Sequence, residues 1–343
     1  MTSSNLILGI VLALAAAVVP TIFYVLLVRW IDRYEREPAA LLAGAFLWGA
    51  VPAVIGALIL EVLVGVPLSA FGSSLLVEIT EASGVAPIVE ETIKALGLVG
   101  LLLLFAGEFD DTLDGVVYGA LVGFGFGMTE NFVYFIGSFG QGGLERLAQT
   151  IVLRVGVFGF THAFFTSMTG AGLGYARSHD FRRRSWIVAL LGLGAAMGFH
   201  ALHNLGASLA GQVAGGILLS LVNITVGLIL LLVIIFWSLA QERRWIAQEL
   251  KDEVGASITR GEYELLTRKR ALLAKKAGPL ACVAGRRVNL LAELSRLATE
   301  LAFKKYQARL GDAGATQAVE DLRRRIGEVR HAAAPLAPRA GRA

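Results

Sequence analysis

Long apolar runs constrain this chain more than any other feature of its sequence. Crossing the hydrocarbon core of a bilayer takes about 20 residues of helix. Backbone polar groups cannot be left unpaired in lipid, so continuous apolar runs of this length indicate membrane helices. Seven spans are predicted, at residues 6–28, 39–65, 86–106, 113–137, 148–175, 185–209 and 213–240. We therefore expect an all-α, polytopic membrane helical bundle.

Charge divides the chain into a hydrophobic body and a basic tail. Residues 1–240 hold 10 Lys and Arg against 15 Asp and Glu, whereas residues 241–343 hold 21 against 12. The strongly basic loops follow spans one, five and seven, and Lys and Arg concentrate on the cytoplasmic side of membrane proteins. The pattern predicts an N-terminus outside and a C-terminus in the cytoplasm. It also predicts a transmembrane domain over 1–240, a basic helical cytoplasmic region over 241–331 and a disordered end over 332–343.

The tail is more typical of a solvated helical region than of a nucleic-acid-binding module. Thr259 and Glu262 have capping-box spacing at a helix start, and residues 281–310 form a second helical stretch. Charges of both signs alternate along these helices, and aromatic residues are few. We expect contact with anionic lipid headgroups as a secondary role and no nucleic-acid partner.

Ionisable and amide side chains inside the predicted spans are the second constraint. A charged group at the centre of a membrane helix costs roughly 2.5–3.5 kcal/mol on insertion scales, so such groups usually serve a function. Spans three to six carry Glu90, Glu91, Lys94, Glu130, Asn131, Arg154, His162, His200, His203 and Asn204. Carboxylate and imidazole together suit zinc, with one position left open for water. A water on zinc ionises near neutral pH and would supply hydroxide in an otherwise dry site.

Helical spacing places some of these residues on common faces. His200 and Asn204 are four residues apart and share a face. Glu90 and Lys94 have the same spacing and could form an ion pair, which would point Glu91 elsewhere. Spacing alone leaves open which glutamate faces the site.

Depth along the helices is compatible with one shared site. At about 1.5 Å per residue, Glu130, His162 and His200 fall between the middle of the membrane and its outer half. Glu90 and Glu91 open span three from the outer side and lie somewhat higher. Span four also carries Gly at positions 119, 123 and 127, a spacing that lets another helix approach closely.

Two of the polar segments resemble motifs of the PrsW family of intramembrane proteases. Glu90-Glu91-Thr-Ile-Lys94 resembles the E-E-x-x-K motif of that family. Phe126-Gly-Met-Thr-Glu130, which is followed by an asparagine, resembles its F-x-x-x-E motif.

Two further segments complete the resemblance in the same order. Residues 158–162 (Phe-Gly-Phe-Thr-His) and 200–204 (His-Ala-Leu-His-Asn) resemble the histidine motifs of the third and fourth core helices of the family. The resemblance covers roughly residues 85–210, and the basic tail lies outside it. The wider clan includes the CAAX-prenyl endopeptidases and the bacterial self-immunity proteins.

What the resemblance implies is hydrolysis of peptide bonds within or next to the membrane. Glu90 or Glu91 would be the general base that activates water, and Asn204 would stabilise the oxyanion. A metal, with zinc expected, would be bound by His162 and His200, with Glu130 as a further candidate ligand; otherwise these groups would polarise the water. Substrates in such families are typically single-pass membrane proteins, with anti-sigma factors as the family association. The location would be the cytoplasmic membrane of a prokaryote.

Two other functions stay open on the sequence alone. A proton-coupled secondary transporter also uses buried Glu, His and Lys as proton relays, although the chain shows no internal inverted repeat and no paired broken helices. A non-catalytic membrane scaffold that displays the cytoplasmic tail would need the apolar spans but no working site.

Overall fold

The computed structural model describes residues 3–31, 37–68, 74–179, 184–210, 212–268, 281–311 and 313–333. Most of them are helical and none lies in a strand, so the all-α prediction is confirmed. The α-helices are α1 (Ser3–Ile31), α2 (Ala39–Trp48), α3 (Val54–Leu68), α4 (Ser74–Thr80), α5 (Ala86–Leu104), α6 (Thr112–Ile151), α7 (Thr161–Ser178), α8 (Trp186–Ala210), α9 (Ala214–Glu249), α10 (Arg260–Arg268), α11 (Ala281–Leu310) and α12 (Ala313–Ala333). The described chain divides into two compact units after Phe236.

Five stretches of the described residues are long and apolar enough to cross a membrane. They are Leu6–Ile31, Ala39–Val64, Thr112–Ser178, Trp186–Ala210 and Gly215–Glu253. The predicted spans 113–137 and 148–175 both fall within Thr112–Ser178. There the backbone leaves helical geometry at Gly142 and Gly143, and a turn follows at residues 158–160.

The predicted span 86–106 corresponds to α5, which is not one of these five stretches. Its two glutamates and one lysine lower its apolar character, although it is 19 residues long. The number of membrane crossings and their orientation stay predictions.

Helices α6 and α7 form the centre of the first unit. Helices α1 and α2 pack on α6, whereas α5 and α8 pack on α7. Every residue from 111 to 127 is buried. A Cβ on Gly119 would lie 2.6 Å from the carbonyl oxygen of Thr166, and one on Gly123 would lie 2.6 Å from the Cα of Ala163. The glycine spacing therefore serves a close approach, as predicted, and the partner is α7.

Among the described residues of this unit, three π-helical segments interrupt the α-helices: Gly49–Ala53, Glu81–Val85 and Val152–Val157. Such segments are rare and frequently mark functional sites. Proline has no N–H, and its ring clashes with the carbonyl four residues earlier. Pro52 lies within the first segment and Pro87 lies just after the second, so the wider turns accommodate these rings.

The second π-helical segment joins α4 and α5 into one continuous helix. That helix begins at Ser74, well before Glu90. The helix that carries Glu90 and Glu91 therefore extends further towards the N-terminus than the predicted span 86–106, and where the membrane begins along it stays a prediction. The paired glutamates lie within a helix that runs from Ser74 to Leu104, since the residues before position 86 are helical as well.

The second unit packs the end of α9, α10, α11 and α12 around its own apolar core, which includes Leu297, Leu301 and Ile326. Glu253 is buried in this unit, and its Oε1 accepts hydrogen bonds from Lys305 Nζ at 2.7 Å and from Arg323 Nη2 at 2.6 Å. This carboxylate therefore joins the turn after α9 to both α11 and α12.

Local predictions for the tail can be compared with this unit. The capping box at the start of α10 is confirmed, because Thr259 N donates to Glu262 Oε2 at 2.6 Å and Glu262 N donates to Thr259 Oγ1 at 3.2 Å. The helix predicted over 281–310 is confirmed as α11. Of the predicted disordered end, residues 334–343 lie outside the described part of the chain.

Candidate active site

Three helices bring carboxylates and imidazoles to one buried point. Glu90 and Glu91 lie on α5, His162 lies in the first turn of α7, and His200 lies on α8. One ligand atom from each of these four side chains lies within 4.8 Å of the other three. We call this group the four-donor cluster. The structure thus brings together four of the six residues to which the sequence assigns a role.

Glu91 is hydrogen-bonded to His200 within the cluster and to Thr166 beside it. Its Oε1 lies 3.1 Å from His200 Nδ1, and its Oε2 accepts a hydrogen bond from Thr166 Oγ1 at 3.2 Å. Because a carboxylate only accepts, we assign the proton of His200 to Nδ1, which leaves a lone pair on Nε2. That Nε2 lies 4.0 Å from Glu90 Oε2. A small group bound between an imidazole nitrogen and a carboxylate oxygen would fit this gap.

Lys94 lies among the same donors and is fully buried. Its Nζ lies 3.0 Å from Glu90 Oε2, 2.8 Å from Glu91 Oε1 and 3.2 Å from His162 Nδ1. The pairing with Glu90 considered from the sequence is present, but Glu91 is paired as well. Pairing with the lysine therefore does not distinguish the two glutamates.

Glu130 lies outside the four-donor cluster and contacts His162 from its other side. Glu130 Oε2 lies 2.7 Å from His162 Nε2 and is also bonded to the guanidinium of Arg154. Since Nδ1 of His162 accepts from Lys94, we assign its proton to Nε2, which donates to Glu130. The sequence interpretation makes Glu130 a possible metal ligand. In the structure its carboxylate is hydrogen-bonded to the side of His162 that faces away from the cluster, and its role as a metal ligand stays a prediction.

Arg154 belongs to the third π-helical segment and holds Glu130 in place. Its Nε donates to Asn131 Oδ1 at 2.6 Å, and its guanidinium lies 3.9 Å from the ring centre of Tyr134. Three neighbours therefore fix the Arg154 side chain. Hydrogen bonds connect Arg154 to Glu130 and Glu130 to His162.

Asn204 and His203 follow His200 on α8 but lie outside the four-donor cluster. Asn204 Nδ2 donates to the carbonyl oxygen of Ala82, in the second π-helical segment, at 2.8 Å. His203 packs edge-on against Phe158, and its buried Nδ1 has no hydrogen-bond partner among the described residues. The oxyanion role of Asn204 stays a prediction, which its second amide N–H could fulfil.

A cavity of about 800 Å³ opens beside the cluster. Glu90, His162, Arg154 and Asn204 are among the residues that line it, whereas Glu91 is not. Of the paired glutamates, Glu90 is therefore the one that a molecule entering the cavity would meet.

Two contacts at this site are not anticipated by the sequence interpretation. Thr166 donates to Glu91, and the Lys94 ammonium lies 3.7 Å from the ring centre of Phe126. Thr166 comes four residues after His162, so helical spacing places both on one face of α7. That spacing is the signal by which the sequence could have indicated Thr166.

The cluster fits a divalent metal in the chemistry of its donors. Two carboxylates and two imidazoles form a set that suits zinc, and their ligand atoms are close enough to converge on one ion. The Lys94 ammonium hydrogen-bonds to three of the four side chains. A metal bound by those same atoms would have to replace it.

These features define a class: a polytopic helical membrane protein with a buried carboxylate and imidazole centre at the wall of a cavity. The family described as PrsW family intramembrane metalloprotease matches residues 37–238, which is more than half of the chain. The chain belongs to this family.

Curated relatives agree with the assignment. The chain is similar to Protease PrsW of Clostridioides difficile (strain 630), with 33% identity over 156 residues, 44% of this chain and 63% of that protein. It is also similar to Protease PrsW of Bacillus subtilis (strain 168), with 30% identity over 164 residues, 47% of this chain and 67% of that protein. The chain thus spans somewhat under two thirds of the length of the first of these relatives. No solved structure matches it.

Proposed function

We propose that this protein is an intramembrane endopeptidase that hydrolyses peptide bonds of membrane-anchored proteins. The observation that carries the proposal is the four-donor cluster, buried in an apolar helical bundle and bordered by a cavity of about 800 Å³. Ionisable side chains inside a membrane bundle cost free energy, so a buried group of them usually serves a function. The family membership and the names of the relatives support peptidase chemistry at this cluster.

Glu90 is the general base in this proposal, because it lines the cavity whereas Glu91 is fully buried. Its carboxylate takes a proton from water as the water oxygen attacks the scissile carbonyl carbon. The carboxylic acid then returns the proton to the leaving nitrogen as the carbon–nitrogen bond breaks. When no metal is bound, the Nε2 lone pair of His200, 4.0 Å from Glu90 Oε2, helps to position the water.

Zinc is the metal that we propose for this site, with Glu91, His162 and His200 as its ligands. Three protein ligands with one open position are typical of catalytic zinc. When bound, the metal would act as a Lewis acid on the water or on the scissile carbonyl. Glu130 and Arg154 would then orient His162, and Thr166 would orient Glu91.

The proposed substrate is a single-pass membrane protein of a prokaryotic cytoplasmic membrane, such as an anti-sigma factor. A cavity of this size can receive a short unwound segment, and the lipid-exposed apolar faces of α1, α3 and α9 keep the enzyme in the bilayer. Contact of the basic tail with anionic headgroups remains a proposal of secondary importance.

The decisive experiment compares cleavage of single-pass reporter proteins by the full chain and by matched glutamate variants. We expect Glu90→Gln to lower the cleavage rate by at least about 100-fold, the usual contribution of a general base. Glu91→Gln should lower it as well, because that change removes a proposed metal ligand. Glu145→Gln, on the exposed part of α6, is the control and should cleave normally. Undiminished cleavage by both single variants and by the double variant would refute the proposal.

Metal analysis of the purified chain tests the role of zinc separately. Near-stoichiometric zinc that falls in both His162→Ala and His200→Ala would support a metal centre. Cleavage by a wild-type protein that contains no metal would instead support a glutamate-activated water, with the histidines as orienting groups.

A further inference from the structure

The Lys94 ammonium has all of its hydrogen-bonding capacity satisfied inside the four-donor cluster. An ammonium group has three N–H donors and no acceptor. Three acceptor atoms lie within 3.2 Å of Nζ, one each from Glu90, Glu91 and His162. The face of the Phe126 ring lies 3.7 Å away, a position that attracts a cation through the ring quadrupole. The surroundings of Nζ are therefore those of a built cation site.

The side chains that hold this ammonium are three of the four that form the candidate metal site. His162 Nδ1 has a single lone pair, so it cannot bind a divalent metal while it accepts a hydrogen bond from the ammonium. Two cations a few ångströms apart in a dry interior would also repel strongly. Occupancy by the ammonium and occupancy by a metal therefore exclude each other.

We propose that Lys94 is a tethered resident cation that a divalent metal must displace, so that this lysine sets the affinity of the site for metal. The inference rests on the proposed function only in taking the cluster as a metal site. While Lys94 is in place, its single positive charge partly compensates the two glutamates without an external ion. Metal binding then requires Nζ to leave its three acceptors, and this cost lowers the affinity of the site for the metal.

A purely structural lysine would have different surroundings. Lys305 of the second unit shows them: its Nζ bonds to Glu253 Oε1 and to the backbone carbonyl of Glu249, both at 2.7 Å. Neither partner belongs to a group of metal-binding side chains, since the four-donor cluster is the one such group among the described residues. Removal of Lys305 therefore exposes no metal site, whereas removal of Lys94 leaves the donors without their cation.

The experiment is titration calorimetry with zinc alone on the full chain in detergent micelles. We expect Lys94→Met to bind zinc at least tenfold more tightly than the wild type. Lys94→Arg retains the cation and should stay near the wild-type affinity. Lys305→Met, the matched control, removes a partly buried lysine ion pair elsewhere and should not change zinc affinity.

An unchanged or weaker zinc affinity in Lys94→Met would overturn the inference. If that variant does not accumulate as folded protein, the charge-balanced variant Glu90→Gln/Lys94→Met is compared with Glu90→Gln alone, and the same tenfold gain is expected. The test is independent of peptidase activity. A gain in zinc affinity without any cleavage by the wild type would support this inference and refute the proposed function. Zinc-dependent cleavage by the wild type, without a gain in zinc affinity in Lys94→Met, would refute this inference and support the proposed function.

Discussion

Removal of the Arg154 side chain should slow the proposed reaction without touching the four-donor cluster. Arg154 bonds to Glu130, and Glu130 in turn lies 2.7 Å from His162 Nε2. The Arg154→Ala variant would leave the Glu130 carboxylate free to rotate away from the imidazole. His162 would then lose the partner that fixes both its ring orientation and the nitrogen that it presents to the cluster.

The magnitude follows from the bonds that are lost. A hydrogen bond to a charged group contributes about 1.5–3 kcal/mol, and about 1.4 kcal/mol corresponds to tenfold in rate. The side chain of Arg154 is 26% exposed, so water replaces part of the interaction. We therefore expect kcat to fall by about 10- to 30-fold, towards the lower end of the 10- to 100-fold loss typical for partners of metal ligands.

Steady-state kinetics on a membrane-anchored reporter can separate this positioning role from substrate binding. A positioning residue lowers kcat and leaves KM within about twofold. Arg154→Lys keeps the charge and should recover part of the rate. Arg146→Ala, which removes an exposed arginine of α6, is the control. A normal kcat, or a rise in KM alone, would show that Arg154 does not act through His162.

Two further predictions concern the packing of each unit. Glu253→Ala removes the shared carboxylate of Lys305 and Arg323 and should destabilise the second unit by about 1–2 kcal/mol, less than for a fully buried pair because both basic side chains are partly exposed. Thermal unfolding measures this loss, with the exposed Glu320→Ala as control, and an equal effect of both variants would contradict it. A Cβ at Gly170 would overlap the backbone oxygen of Gly115, so Gly170→Leu should abolish the monodisperse folded protein in detergent chromatography. Gly100→Ala, where nothing lies within 4 Å, should leave the elution profile unchanged.

Much of the fold could be predicted because single physical rules control it. Backbone N–H and C=O groups cannot stay unpaired in lipid, so the length of the apolar runs alone indicates helices. Glycine at every fourth position predicts a close helix neighbour, and the structure supplies α7 as that neighbour. The order of polar motifs on successive helices indicated the four residues that the structure brings together.

The roles within the site could not be predicted, because they depend on side-chain reach rather than on spacing. Lys94 reaches both glutamates, one three and one four residues earlier on the same helix, so spacing could not choose between them. Glu130 meets His162 across two helices, and Arg154 reaches Glu130 only because of the local path of the third π-helical segment. No periodicity in the sequence records that path.

The charge balance of the network explains why its glutamates need not form an inert ion pair. Three carboxylates, those of Glu90, Glu91 and Glu130, are bonded to only two permanent cations, Lys94 and Arg154. A buried network gains most when its charges cancel, and this one lacks one positive charge. The imbalance falls on α5, where one ammonium serves two glutamates, and Glu90 is the one that reaches the cavity. A carboxylate with incomplete compensation at a cavity wall is suited to take a proton from water or to help recruit a metal cation, which is the chemistry that peptide hydrolysis requires.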